Sequence, residues 1–272
     1  MAGQQAGALC GRRYGGIKTM ATKKKIQLPE VNFSDYGDTR YLHLGTPWVQ
    51  GSMKIDKPFD IDLEYVQRMM AWLLFVDIDQ VSKLHAMQLG LGSAALTKFS
   101  FKHLRMKTTA IELNPQVVAA CRLWFKLPAD SAKLQVVLGD AAEVAQHDHW
   151  HGQIDALQVD LYDHEAASPV LDSAEFYADC RKLLTDEGCM TVNLFGRSSS
   201  FAQSVEKMAA AFGADALWAF KPTREGNTIV LAQRTPSLPK RAELMARAEA
   251  IQARWPLPAT KWLRVFKPLK AI

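Results

Sequence analysis

A chain of 272 residues with 48% hydrophobic side chains can bury a sizeable core, as one large domain or as one domain with an appendage. No apolar run approaches the about 18 residues that a membrane span needs, and the most apolar window, Met69–Val76, is short enough to be a buried helix end. The formal charge of +5 invites nucleic acid as a partner, but the basic residues are scattered among Lys23–Lys25, Lys240–Arg241 and the tail Lys261–Lys270. Charge runs near chain ends are usually solvated, so no nucleic acid and no membrane is expected.

The first 25 residues are rich in Gly, Ala and Lys and are expected to be a disordered extension; Met20 is an alternative start. Arg12-Arg13 is followed by no apolar stretch of the kind a secretory signal needs. The four cysteines, Cys10, Cys121, Cys180 and Cys189, form no CxxC pair, which fits reduced thiols in a cytoplasmic protein. Residues 26–80 are expected to be a small β lobe plus a helix. Tyr41–Leu44 and Trp48–Gln50 are short strand-like runs broken by Gly45-Thr-Pro47 and Gly51, and Asp60–Tyr65 opens a helix with acids in its first turn.

From residue 81 to 235 strands and helices alternate. The expected strands are Leu84–Leu89, Thr108–Glu112, Leu134–Leu138, Ile154–Asp160 and, after an Asp186-Glu-Gly188 turn, Cys189–Asn193. The expected helices start at Ala94, run over Pro115–Phe125 with proline in the first turn, start again at Ala141, and run over Ser173–Leu184 and Ser200–Phe212. Ala216–Phe220 and Thr228–Ala232 read as a closing hairpin. The fold class is α/β: a Rossmann-like, mostly parallel sheet with an antiparallel end, preceded by the small β-rich lobe. Residues 236–272 are expected to be a helix, Lys240–Arg254, ended by Trp255-Pro-Leu-Pro258, and a tail.

The chemistry is expected where the strands end. Gly90-Leu-Gly92 after the first sheet strand lets backbone approach a ligand, and the next helix offers free N–H groups. Glu112, at the second strand end, can accept both hydroxyls of a ribose, or can cap the Pro115 helix. Asp140, followed by Ala141, can accept an adenine amino hydrogen, cap the helix, or do both. Asp160 and Asp163, three apart with Tyr162 between them, can bind a cation or take its proton, or belong to an ordinary acidic loop. His147-Asp-His149-Trp-His151 offers alternate imidazoles, but no clearly spaced fourth ligand follows, so a solvated loop and no metal are expected. Arg197–Ser200 reads as a helix N-cap.

Together these residues resemble the spermidine synthase-like aminopropyltransferases, relatives of the class I S-adenosylmethionine-dependent methyltransferases. The resemblance covers roughly Tyr41–Ala232. It rests on Val49-Gln50, Tyr65, Glu112, Gly139-Asp140, Asp160-Leu-Tyr-Asp163 and Glu175-Phe-Tyr177. It implies transfer of the aminopropyl group of decarboxylated S-adenosylmethionine to putrescine or another amine, as a cytoplasmic homo-oligomer, commonly a dimer. By the same resemblance Gln50, Gly90, Gly92, Ser93, Glu112, Asp140 and Ala141 face the donor. Asp160 is the base, and Asp163 and Tyr65 orient the amine.

The sequence departs from the family pattern at the amine side. The Gly-rich turn usually reads Gly-Gly-Gly-Asp-Gly, with its Asp on the donor's amino group, and here Ser93 stands in that place. Val66 replaces a His or Gln, and Arg224 follows Pro222-Thr223 where a Tyr is usual. A hydroxyl cannot neutralise an ammonium as a carboxylate does, and an arginine repels cations. The expectation is therefore a divergent aminopropyltransferase. Methyl transfer from intact S-adenosylmethionine, with Arg224 meeting the extra carboxylate, stands second, although Asn193 is followed by Leu-Phe-Gly and not by the Pro-Pro-Tyr of amino-group methylases. A binding protein that keeps only the fold stands third.

Overall fold

The structure, a computed structural model, describes residues 28–162, 171–195 and 198–269. The N-terminal extension, Cys10, Asp163 with His164-Glu165, and the start of the Arg197–Ser200 cap lie outside the described residues.

The chain opens with three antiparallel strands, β1 (Val31–Tyr36), β2 (Thr39–Leu44) and β3 (Gly51–Lys54). The expected strand at Trp48–Gln50 is displaced: pairing with β2 runs from Leu42 opposite Gly51 to Thr39 opposite Lys54. Trp48 and Val49 stay exposed in the connection, where Pro47 has no N–H to give a ladder. The acid-rich segment that follows gives a short helix α1 (Glu64–Arg68), which tightens into a 3-10 turn over Met69–Phe75. Met69 through Leu74 are fully buried there, so the turn is a core plug and its apolar character needs no membrane.

Eight strands make the main sheet: β4 (His85–Leu89), β5 (Lys107–Glu112), β6 (Leu134–Leu138), β7 (Ile154–Val159), β8 (Leu184–Phe195), β9 (Leu217–Phe220), β10 (Asn227–Gln233) and β11 (Phe266–Pro268). Their order is β11-β9-β10-β8-β7-β4-β5-β6, parallel from β8 to β6 and antiparallel from β10 outward. The crossovers are α2 (Ala95–Lys102), α3 (Pro115–Trp124), α4 (Ala141–Ala145) and α5 (Ala174–Leu183), and α6 (Ser198–Phe212) leads to the hairpin. The hairpin is β9–β10, as its turn residues predict.

Two further elements differ from the sequence expectation. Asp186-Glu-Gly188 is not a turn before a strand but a bulge inside β8: Ile154 faces Leu184 and Ala156 already faces Cys189. A Cβ on Gly188 would fall 2.7 Å from the Ile154 carbonyl oxygen, so the bulge needs glycine at that point. The basic tail is the other difference. After α7 (Arg241–Arg254) and the one-turn α8 (Ala259–Trp262), Phe266 stacks between Trp218 and Phe220 and β11 closes the sheet edge. The alternation that marks a strand is hidden there because only three residues pair.

One face of the sheet packs on the 3-10 turn, α2 and α7, and the other on α4, α5 and α6. A third cluster joins the small sheet to α3 through Leu42, Met53, Leu91, Val117 and Phe125. Within this third cluster Lys98 is 1% exposed, and its ammonium donates to the Phe125 carbonyl at 2.7 Å, capping the C-terminus of α3. Burial lowers its pKa to about 8.

Candidate active site

The Gly-rich turn is held at three points. The Gly90 N–H donates to Ile111 O, the Asp160 N–H donates to Leu89 O, and the Leu91 N–H donates to Glu112 Oε2 at 2.9 Å. Gly90 has φ +86°, and a Cβ on it would sit 2.3 Å from the Asp160 carbonyl oxygen. The ends of β4 and β7 can meet only across a glycine.

Glu112 spends one carboxylate oxygen on Leu91 and the other on the Asn114 N–H at 2.8 Å. The cap of α3 is Asn114, which accepts from the Gln116 N–H, so Glu112 is not needed for it. Burial pushes the Glu112 carboxyl up, against the pull of its backbone donors. A carboxylate has about four acceptor directions, so two remain for a ligand. Asp140 does cap α4, with Oδ1 accepting from the Ala142 N–H at 2.8 Å. Ala141 is buried behind it.

Ser93 is not aimed at an open site. It is 3% exposed, its hydroxyl donates to the Ser52 carbonyl at 3.0 Å, and a Cβ on Gly51 would meet its Oγ at 2.6 Å. Its role is to seat β3 on the Gly-rich turn. The Gln50 carbonyl lies as close, 3.3 Å from where a Cβ of Gly92 would stand. Gln50 Nε2 is buried with no hydrogen-bond partner among the described residues, beside the turn. An orphaned amide donor costs about 1–3 kcal/mol, a cost that a ligand acceptor would remove.

At the ends of β7 and β8 the site changes character. Asp160 accepts from Asn193 Nδ2 at 2.9 Å on one oxygen and from the Tyr65 hydroxyl at 3.3 Å on the other. Burial raises the Asp160 pKa, and the hydrogen bonds from Asn193 and Tyr65 pull it back. Burial likewise pushes the Tyr65 phenol far up, and the Asp160 charge adds to this. Arg68 presses α1 onto the hairpin. It donates to Lys221 O at 2.6 Å, pairs with Glu64 at 2.6 Å, and lies over the Phe220 ring at 5.2 Å. Tyr65 is thereby brought to Asp160 from 95 residues away.

Other expected residues stand apart. Val66 is buried in the core and does not line the site. Arg224 is exposed in the turn between β9 and β10. Phe176 and Tyr177 are core residues, and the Tyr177 hydroxyl donates to Asp172 at 2.8 Å, while Glu175 is exposed. His149 and His151 lie on a short 3-10 turn, where His151 pairs with Asp148 at 3.5 Å and His149 packs edge-on to Trp150. Among the described residues no cluster of three or more His, Cys, Asp or Glu could hold a metal, and no helix is long and apolar enough to cross a membrane. Cys121 and Cys189 are buried thiols whose pKa burial pushes up to about 12. Asn193, Asn227 and Arg68 carry no motif; strand pairing reveals the two asparagines, and the packing of α1 on the hairpin reveals Arg68.

A polyamine aminopropyltransferase of Chromobacterium violaceum is 31% identical over 232 residues, 85% of this chain and 86% of that protein. The chain belongs to the polyamine aminopropyltransferase family. This is a family of transferases, and the eight-stranded sheet with its three-stranded lobe is the fold it shares with solved structures. A probable spermidine synthase from Corynebacterium glutamicum superposes with a TM-score of 0.66 at 19% identity, covering 87% of this chain and 88% of its own. Human methyltransferase-like protein 13, solved with SAH, superposes with a TM-score of 0.63 at 21% identity, covering 78% and 96%. No family model matches the chain.

Proposed function

We propose that this protein transfers the aminopropyl group of decarboxylated S-adenosylmethionine to a primary amine such as putrescine. The observation that carries the reading is Asp160, a buried carboxylate held by Asn193 and Tyr65 beside a Gly-rich turn fastened to Glu112. Membership of the polyamine aminopropyltransferase family supports the reading, as does the placing of a carboxylate suited to a nucleoside and a proton acceptor at the ends of the sheet strands.

The donor supplies the electrophile, a carbon activated by an adjacent sulfonium. The free acceptor amine is protonated at neutral pH, with a pKa near the 10.4 of lysine, so its nitrogen must lose a proton before it can attack. In this reading Asp160 takes that proton, and burial makes it a stronger base than an exposed aspartate. The new C–N bond forms as the C–S bond breaks, its electron pair returns to sulfur, and methylthioadenosine leaves. Tyr65 holds the second Asp160 oxygen, and Glu112, Asp140 and the orphaned Gln50 amide hold the nucleoside. Asp163 is assigned to the amine by resemblance alone.

The side facing the donor's amino group is altered in the same reading. The Ser93 hydroxyl is committed to Ser52 and cannot neutralise the donor's ammonium, so the decarboxylated donor would bind more weakly than where an aspartate stands in that place. The test supplies purified protein with decarboxylated S-adenosylmethionine and putrescine and assays methylthioadenosine and spermidine. Equimolar formation of both is expected. Failure with the decarboxylated donor, together with methylation of an acceptor by the intact one, would overturn the reading.

A further inference from the structure

The Asn193 carboxamide is held from both sides. Its Nδ2 donates to Asp160 at 2.9 Å, and its Oδ1 accepts from Asn227 Nδ2 at 3.1 Å. Both asparagines are buried, at 4% and 9% exposure, on the neighbouring strands β8 and β10. The Asn227 backbone is fixed by the hairpin turn: its N–H donates to Thr223 Oγ1 at 3.2 Å, and its main-chain carbonyl accepts from the Thr223 N–H at 2.8 Å. The Tyr162 hydroxyl donates to the Asn193 carbonyl at 2.8 Å and fixes that backbone as well.

A carboxamide has a donor on one side and an acceptor on the other, and half a turn about its last bond exchanges them. Turned one way, Asn193 gives Asp160 a hydrogen. Turned the other way, it sets a carbonyl oxygen against a carboxylate, which is repulsive unless Asp160 is protonated. With Asn227 turned to donate, an acceptor must face it, so the two amides hold the first orientation together, and removing Asn227 takes away the partner that Asn193 Oδ1 has in that orientation alone.

We propose that Asn227, which does not touch Asp160, is a positioning residue that locks Asn193 in its donating orientation and thereby holds Asp160 ready to accept a proton. The inference rests on the reading of Asp160 as the base. Asp160 faces two titratable groups among the described residues, Tyr65 from α1 and Tyr162 after β7. Burial pushes both phenols up, so both are neutral through the range of the assay. The acid limb of the rate profile then reports Asp160.

The test measures kcat/KM against pH with decarboxylated S-adenosylmethionine and putrescine for wild type, Asp160→Asn, Asn227→Leu, Asn193→Leu and the Asn193→Leu/Asn227→Leu double variant. Thermal midpoint and methylthioadenosine affinity serve as controls of folding. Asn227→Leu is expected to move the acid limb upward by about one pH unit, the size associated with losing a hydrogen bond to a charged group. In the Asn193→Leu background the same change should move it no further, because the effect travels through Asn193. Should Asn227→Leu fail to fold, Asn227→Ser, too short to reach Asn193, carries the same expectation. An unmoved limb, or a further shift of the same size when Asn227→Leu is added to Asn193→Leu, overturns the positioning role while a dead Asp160→Asn still supports the base. An active Asp160→Asn overturns the reading of Asp160, and with it the inference.

Discussion

The two halves of the cleft are built by different means. Over β4, β5 and β6 the ligand side is made of backbone: N–H groups of Leu91 and Asn114 converge on Glu112, and Asp140 caps the helix that begins at its own strand end. Over β7, β8 and β10 it is made of side chains from distant segments, with Tyr65, Asn193 and Asn227 converging on Asp160. The first half is local in sequence and its parts hold one another through their own hydrogen bonds. The second depends on α1 lying against the hairpin through Arg68. In the proposed reading, recognition of the nucleoside is thus a property of the sheet, and handling of the amine is a property of how other elements dock on it.

Removing the proposed base separates the two halves most sharply. Asp160→Asn should lower kcat by about 10²–10⁴, the range of a lost general base, while methylthioadenosine affinity stays within a few-fold of wild type. Steady-state kinetics paired with calorimetry reads both quantities. Loss of nucleoside binding would show that the halves are not separable. The pH dependence has a definite sign. Burial raises the Asp160 pKa, so the active carboxylate form is lost on acidification at a higher pH than for an exposed aspartate.

The complementary change is Glu112→Gln. It trades a charged acceptor of two backbone N–H groups for an amide that can accept only one of them well. A hydrogen bond to a charged group contributes about 1.5–3 kcal/mol, so methylthioadenosine affinity should fall about 10- to 100-fold. At saturating donor, kcat should change far less than in Asp160→Asn. A variant that loses kcat and affinity equally would break the division between the halves.

The same division sets what could be read in advance. Strand ends and the residues just beyond them are local features, and Gly90, Glu112 and Asp140 stand out because glycines and acids interrupt apolar runs at regular spacing. Most parallel strands were placed to within a residue or two for that reason. Three misreadings have physical causes. The Trp48–Gln50 strand moved to Gly51–Lys54 because cross-strand register, not composition, chose the paired residues. The Gly188 bulge looks like a turn because both need a glycine. β11 was invisible because three residues cannot show a period, and its worth lies in Phe266 stacking on Trp218 and Phe220. At the site, Ser93 carries no sign in the sequence that its hydroxyl is committed to Ser52. Asn193 and Asn227 are ordinary strand residues until pairing brings them together.

The smallest effect expected concerns the floor under the nucleoside half. Lys98, on the helix that follows the Gly-rich turn, has its ammonium on the Phe125 carbonyl, and burial lowers its pKa from 10.5 to about 8. In the unfolded chain the same group keeps a pKa near 10.4, so between about pH 8 and pH 10.4 the unfolded state binds more protons. Stability therefore rises with pH through that window, by at most about 1.4 kcal/mol per pH unit, as the cost of burying the charge disappears. Lys98→Met removes the titration together with the hydrogen bond. Urea unfolding at pH 7.5 and pH 10 should show wild type gaining on the variant as pH rises. Equal differences at the two pH values would mean that Lys98 keeps an ordinary pKa, and that the nucleoside half rests on a solvated lysine rather than on a buried one.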